Sequence, residues 1–357
     1  MFLLKIIFFP FSFIYGCVIA VRNGLYASGW IKSNKYNIPI ISIGNISYGG
    51  TGKSPLVEYL VRFLSPNNQL ATLSRGYKRK SKGFFIAKNN SLSTEIGDEP
   101  KQFKTKFPKL TVTVCEDRCK GVSEILKLHP VINCIILDDA FQHRSIKAGL
   151  NILLTDHNKL YTRDIVLPSG TLREFRCGAK RADIIVVTKC PRALSDEEKR
   201  KISEEIKPSD KQHLFFSYIE YGTLININNT RNEESINSEQ TVLLFSGIAN
   251  IKPLEQYFKE KKCSLVSLTF RDHHQYSVQE LSKIRTTFNN IPDKNKIIVT
   301  TEKDAMRIEA SEQKEILSNL PVFYIPIIAG FFEPDKEIFD KIIIDFIANN
   351  EKNKGNL

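Results

Sequence analysis

No acidic residue occurs in the first 40 positions, which hold only Lys5, Arg22, Lys32 and Lys35 as charges. No internal repeat is visible, which excludes a solenoid or propeller array. Beyond residue 21 no apolar run is long enough to span a bilayer. The seven cysteines (17, 115, 119, 134, 177, 190, 263) are scattered and odd in number. Cys115 and Cys119 are four apart, but no second Cys or His pair follows to complete a zinc site, so free thiols in a reducing compartment are expected. The chain is also not poor in apolar residues: 42% hydrophobic and 25% charged over 357 residues excludes a disordered or collagenous chain. The length suits two domains. Lys plus Arg number 51 against 39 Asp plus Glu, a net charge of +12. That excess favours an anionic partner, either a nucleotide or a phosphate-bearing lipid surface. No aromatic platform is interleaved with the basic residues, so nucleic acid is not expected among the partners. Nothing points to an obligate protein partner.

The basic residues cluster. Besides the N-terminal four, Arg75, Lys78, Arg79, Lys80, Lys82 and Lys88 form a second run. Ile6–Val21 is an uncharged stretch of 16 residues, interrupted by Pro10 and flanked by Lys5 and Arg22. It is short for a full span of about 20 residues. No small-x-small cleavage site follows it, and IYGC at 14–17 is a poor lipoprotein box because of Tyr15. The expectation over 1–25 is a membrane-associating helix lying at the interface.

Short, continuously apolar runs at 38–44, 70–74, 110–114, 134–137, 151–154 and 183–188 alternate with helical patterns. They predict an α/β fold with a mostly parallel sheet covered on both faces. The polar stretch Asn226–Gln240 marks a connection, after which strand–helix alternation resumes at 241–260 and 296–306, with a further strand at 322–328. The expected division is a larger unit over 26–225, a smaller α/β unit over 226–348, and a polar tail over 349–357.

The most specific signal is Ser47-Tyr48-Gly49-Gly50-Thr51-Gly52-Lys53-Ser54, between an apolar strand and a helix with apolar Leu56, Val57, Leu60, Val61 and Leu64. It matches the phosphate-loop pattern G-x-x-x-x-G-K-[ST], with Ser47 in place of the first glycine. Glycine-rich backbone and a helix N-terminus offer N–H groups to phosphates, Lys53 reaches the terminal phosphates, and the Ser54 hydroxyl suits Mg²⁺. Pro55 falls in the first helical turn, where a missing N–H costs least.

Such a loop needs acids. Cys134–Leu137 is an apolar strand that ends in Asp138 and Asp139, and a strand-end Asp is the usual second partner of Mg²⁺ beside a phosphate loop. Gly97-Asp98-Glu99-Pro100 is an acidic turn, and phosphoryl transfer to a hydroxyl needs a base such as Asp98. Phe270-Arg271-Asp272-His273-His274 precedes a capping box at Ser277 and Glu280; a His beside a carboxylate can tune it. Candidate substrate contacts are Arg75, Arg118, Gln142, His143, Arg173 and Glu174, with Arg144 adjacent. Val187-Thr188-Lys189-Cys190 is placed like the guanine-reading segment of GTPases, but Pro191 stands where the base-pairing Asp belongs. That leaves ATP as the nucleotide.

Taken in order, GNISYGGTGKSP, SRGYKRKSKG, GDEP, EDRCKG, LDDAFQHR, LPSGTLRE, VTKC, SGIAN, FRDHH and TTEKDAMR closely resemble the tetraacyldisaccharide 4′-kinase family of lipid A biosynthesis, from about residue 38 to 310. The resemblance implies a P-loop domain and a smaller C-terminal α/β domain joined by a two-stranded connection. It also implies transfer of the ATP γ-phosphate to the 4′-hydroxyl of an anionic lipid disaccharide at the cytoplasmic face of the bacterial inner membrane. By motif, Asp98 is the base and His273 its partner from the other domain, so that the site completes on domain closure. Lys53 and Asp139 join them in catalysis, and residues 47–54 hold ATP. Ser54, Asp138 and Glu99 are the Mg²⁺ candidates. The competing reading from the residues alone is a membrane-bound P-loop ATPase or switch that phosphorylates no lipid sugar.

Overall fold

The computed structural model describes residues 2–228, 233–272, 274–308 and 311–354. The continuously apolar runs are strands buried on both faces. The strands are β1 (Ile40–Asn45), β2 (Leu70–Ser74), β3 (Phe85–Ile86), β4 (Thr111–Val114), β5 (Cys134–Asp138), β6 (Leu150–Asp156), β7 (Ile184–Cys190), β8 (His213–Tyr221), β9 (Leu224–Asn226), β10 (Glu233–Glu234), β11 (Thr241–Ser246), β12 (Ser264–Thr269), β13 (Lys296–Thr301), β14 (Val322–Ile325) and β15 (Ile327–Phe331). The helices are α1 (Phe2–Ala27), α2 (Lys53–Leu64), α3 (Ser93–Ile96), α4 (Asp98–Lys106), α5 (Arg118–Leu128), α6 (Asp196–Ile206), α7 (Lys252–Glu260), α8 (Val278–Asn290), α9 (Glu302–Ala305), α10 (Ser311–Leu317) and α11 (Asp335–Lys354).

Two sheets result. The larger runs β15-β8-β7-β6-β1-β5-β2-β4-β3, parallel except at its two edge strands; the smaller runs β10-β9-β14-β13-β11-β12, with β11 to β14 parallel. This is the mostly parallel α/β architecture that the apolar runs predict. The amphipathic stripe of α2, Leu56, Val57, Leu60, Val61 and Leu64, is buried against Ile41 and Ile43 of β1. Each such side chain contributes about 1.5–3 kcal/mol relative to exposure. On the opposite face Val122 and Ile125 of α5 cover Ile40, Leu73, Ile135 and Leu137.

The run at 322–328 behaves differently from its reading as one strand. Pro326, which cannot donate to a ladder, splits it into β14 in the small sheet and β15 in the large one. The chain crosses between sheets twice, at 222–223 and at 326, where Gly222 N–H donates to Pro326 O at 2.9 Å. After the second crossing it stays with the large sheet. Phe339, Ile343 and Ile347 of α11 share one core with α2, and Phe339 stacks on Phe331 at 4.5 Å between ring centroids. Residues from 327 onward therefore pack with the larger body, although their place in the chain suggests the smaller unit. Hydrophobic periodicity identifies an element but does not choose its sheet.

α1 lies along the larger body by a narrow stripe. Ser12 Oγ donates to Ser169 Oγ at 2.8 Å and accepts from Ser169 N–H at 2.9 Å. Gly16 faces the Phe175 ring so closely that a Cβ would lie 2.4 Å from it. The opposite face leaves Ile7, Phe9, Phe11, Phe13, Ile14, Val18 and Val21 exposed. By length and composition Ile7–Ala27 is apolar enough to cross a membrane, because the helix runs on past Arg22.

Candidate active site

β1, β5, β6 and β7 are adjacent and parallel, so the turns after their C-terminal ends meet on one edge of the sheet, where open α/β sheets bind ligands. The loop after β1 bends through left-handed backbone at Gly49 (φ 120°) and Gly52 (φ 82°), which favours residues without a Cβ. Among the described residues, none accepts a hydrogen bond from the backbone N–H groups of 49–54. Gly52 caps α2 without a side-chain bond, so the helix N-terminus opens into the same space. The other side of the loop is tied down. Asn45 Nδ2 donates to Thr51 Oγ1 at 2.7 Å, Tyr48 N–H to Thr171 O at 2.6 Å, and Thr188 Oγ1 to Thr51 O at 2.9 Å. Ser47, Thr51 and Ser54 are buried, while the Tyr48 ring is exposed. The result is a concave row of unpaired donors on a fixed frame, a structure suited to polyphosphate.

Lys53 Nζ stands 3.7 Å from Asp139 Oδ1. Arg173 donates to the same carboxylate, NH1 to Oδ1 at 3.0 Å and NH2 to Oδ2 at 3.4 Å. Burial alone would raise the Asp139 pKa, but Lys53 and Arg173 outweigh it and hold the carboxyl below its ordinary value. Asp138 has the reverse balance. Burial first, then Asp139 and Glu99, push its pKa up to about 6 despite Lys53 and the Ser74 hydroxyl, which donates at 3.2 Å. An inward-facing carboxylate short of positive charge, with the carboxylates of Asp139 and Glu99 close enough to raise its pKa, is a hard-oxygen donor set that fits a divalent cation.

The sequence profile of the LpxK family, tetraacyldisaccharide-1-P 4′-kinase, matches residues 4–348. The chain belongs to the LpxK family. It is 43% identical over 348 residues to the tetraacyldisaccharide 4′-kinase of Flavobacterium johnsoniae, covering 98% of each chain. With the enzyme of the same name from Bacteroides thetaiotaomicron it shares 40% over 359 residues, covering 97% of this chain and 94% of that one. The solved structure of LpxK from Aquifex aeolicus in complex with ATP superposes with a TM-score of 0.75 at 30% identity, covering 96% of this chain and 99% of that one.

On this LpxK-family scaffold the remaining candidates fall into two groups. Arg173, Gln142 and Glu174 form a chain of contacts. Arg173 NH1 donates to Gln142 Oε1 at 3.2 Å, Gln142 Nε2 to Asn45 O at 2.7 Å and to Glu174 Oε1 at 3.2 Å. Glu174 itself is buried beneath Arg181, whose NH1 and NH2 donate at 2.7 and 2.9 Å, and it accepts from Asn23 of α1 at 2.9 Å. Glu174 thus supports Arg173 through Gln142. Arg118, the other charged candidate in this group, is held in the same way. It is buried, and its guanidinium donates to the carbonyls of Cys115, Glu116 and Asp139 at 3.3, 3.1 and 3.3 Å. It shapes the turn carrying Asp139, and its Nε is buried with no hydrogen-bond partner among the described residues. Arg75 is exposed at the end of β2. Burial and then Arg118 lower the pKa of His143, which accepts from Arg118 N–H at 3.3 Å. The fold also brings Asp117 and Cys119 to His143. The Asp117 carboxylate caps α5 through the N–H groups of Cys119 and Lys120, at 2.8 and 3.2 Å.

The acids at 98 and 99 open α4 and face the smaller unit. Arg307 donates to Asp98 Oδ2 through Nε at 2.9 Å and lies 2.8 Å from it through NH2. Lys303 donates to Glu99 Oε1 at 2.7 Å. Behind them, Glu58 of α2 and Glu302 of α9 share Lys106, at 2.6 and 2.7 Å, and Gln102. Burial and then Glu58 raise the Glu302 pKa to about 7. Asp98 also lines a small polar cavity with Tyr77, Lys78, Ser93, Thr94 and Gln275. His273, expected beside Asp98, lies outside the described residues. Its neighbour His274 is engaged elsewhere, 2.9 Å from Glu280 Oε1 and stacked on Phe270. The basic run divides in the same way: Arg79 is turned inward onto Glu116 at 2.5 Å, whereas Lys78, Lys80, Lys82 and Lys88 are exposed. Lys303, Arg307 and Arg181 were not singled out from sequence. Lys303 and Arg307 do sit inside the TTEKDAMR block, and that was the available signal.

Proposed function

We propose that this chain transfers the γ-phosphate of ATP to the 4′-hydroxyl of a tetraacyldisaccharide 1-phosphate, the lipid IVA-forming step of lipid A biosynthesis. The observation that carries this reading is the row of unpaired N–H groups at 49–54 beside Lys53 and the strand-end acid Asp139. The loop amides and Lys53 hold the phosphates, and Arg173 neutralises charge that develops on the transferred group. Asp98 takes the proton from the attacking hydroxyl and holds that oxygen in line. His273 is its partner from the smaller unit, and closure of the two units completes the site. Ser54, Asp138 and Glu99 would hold Mg²⁺, which when bound neutralises the terminal phosphates. Glu99 is available for this once Lys303 releases it.

The lipid substrate explains the surface. The apolar α1 face together with the exposed Lys78, Lys80, Lys82 and Lys88 suits docking at the cytoplasmic face of the inner membrane, with about 1 kcal/mol per basic residue near an anionic bilayer. α1 contacts the segment that bears Arg173, since Tyr15 OH donates to Arg173 O at 3.2 Å. The anchored helix thus sits against the phosphate-binding wall.

Two experiments test this. Radiolabelled ATP incubated with the protein and the disaccharide lipid should place label in a chloroform-soluble product; release of label only as inorganic phosphate supports the ATPase reading instead. Deleting residues 1–21 should move most of the protein from the membrane pellet to the soluble fraction. Continued pelleting would locate the anchor elsewhere, the basic run 75–88 being the next place to mutate.

A further inference from the structure

The segment that ends β7 has the look of a base-reading motif without the acid that reads the base, and the structure gives its lysine a different partner. Lys189 leaves the strand in left-handed backbone (φ 59°), an uncommon conformation for lysine. Its ammonium crosses to the phosphate loop and donates to Gly50 O, while Asp156 at the end of β6 anchors it at 2.8 Å. One residue earlier, Thr188 Oγ1 donates to Thr51 O at 2.9 Å. Two consecutive loop carbonyls are therefore held from the same side.

A trans peptide points its C=O and N–H in opposite directions. Holding the carbonyls of Gly50 and Thr51 against β7 turns the N–H groups of Thr51 and Gly52 to the other side, and those are among the donors that no described residue accepts. Gly49, Gly50 and Gly52 give the loop wide conformational freedom, so without these ties the 50–51 peptide can rotate and withdraw its N–H. We infer that Lys189, anchored by Asp156, is a positioning residue that keeps the phosphate loop in its anion-receiving form before ATP arrives. This rests on the ATP-binding reading above. The lysine acts through the loop and does not itself grip a phosphate.

Substitution separates that role from a direct charge contact. Lys189→Asn removes the ammonium with a residue that tolerates positive φ, so the strand end keeps its turn. The expected result is a rise of about tenfold or more in Kd and KM for ATP, with kcat at saturating ATP within about threefold, as befits a lost charged hydrogen bond that orders a binding loop. Asp156→Asn should raise KM for ATP as well, and the double variant should be no worse than Lys189→Asn, because the two act as one unit. If the lysine instead gripped phosphate, releasing it from Asp156 would leave ATP affinity unchanged or tighter, and that result overturns the proposal. A Lys189→Asn protein that melts like the parent and binds ATP with parental affinity overturns it too. Should Lys189→Asn fail to fold, the Asp156→Asn measurement decides alone. A parent chain that binds no ATP overturns the underlying reading together with this one, whereas a parent that binds ATP isolates the role of Lys189.

Discussion

Asp98→Asn should lower kcat by about 10² to 10⁴ while leaving the KM for ATP within a few-fold of the parent, the loss typical of removing a positioned general base. The geometry explains the split. Asp98 opens α4, whereas the phosphate-holding groups are the loop amides and Lys53, so ATP should still be held without the carboxylate. Its carboxylate is gripped by the Arg307 guanidinium at 2.9 Å through Nε. Arg307 is fixed in turn by Asp304 at 3.0 Å, and Asp304 accepts from Ser246 at 2.8 Å and from Gly247 N–H at 3.1 Å. Orientation of the base thus passes through the smaller unit. An asparagine keeps the shape and one acceptor for Arg307 but gives up the charge and the capacity to take a proton. Arg307 still has Asp304, so the fold should survive, and a thermal melt beside the kinetics checks this. Lys53→Ala should behave differently, weakening ATP binding and turnover together, since Lys53 faces the loop and the acids. Parental kcat in Asp98→Asn would remove Asp98 as the base.

The site was legible in the sequence where its determinants are local. Ser47–Ser54 lies between a strand and a helix within one short stretch, and Asp138 and Asp139 end an apolar run, so periodicity and glycine content announce both. The supports are a different matter. Lys303 meets Glu99 across 204 residues and Arg307 meets Asp98 across 209, and no spacing rule connects residues that distant. Arg118 and Glu174 show a second limit. Each is a charged residue in a motif block, which reads as a contact for an anionic substrate. Each is in fact buried, and burial is a property of the assembled sheet. Pro326 shows a third. The proline is visible in VFYIPII, but that the strand before it and the strand after it join different sheets depends on what each can pair with.

In the absence of metal, Asp138→Asn should raise the melting temperature even as it abolishes most activity. Burial, Asp139 and Glu99 hold the Asp138 carboxyl at about 6 against an ordinary value of 3.8. The folded chain therefore binds that proton more tightly than the unfolded chain. Folding free energy from this group is undiminished below the ordinary value, falls as pH rises from there through about 6, and stays reduced above it. The displacement corresponds to about 3 kcal/mol as an upper figure. At pH 8 the parent bears this cost in full and an uncharged amide does not, so the variant should melt a few degrees higher in EDTA. Adding Mg²⁺ with ATP should reverse the order, since a ligand that binds only the folded state stabilises it by mass action and the parent keeps the carboxylate that would hold the ion. The same logic gives a pH dependence for the parent: activity at low Mg²⁺ should fall as pH drops through about 6 and recover partly at high Mg²⁺, which competes with the proton. Differential scanning fluorimetry at pH 5 and pH 8, with EDTA and then with Mg²⁺ and ATP, reads all of these. A variant that melts no higher than the parent in EDTA at pH 8 would mean that Asp138 carries no uncompensated charge, and the assignment of that carboxylate to the metal would lose its physical basis.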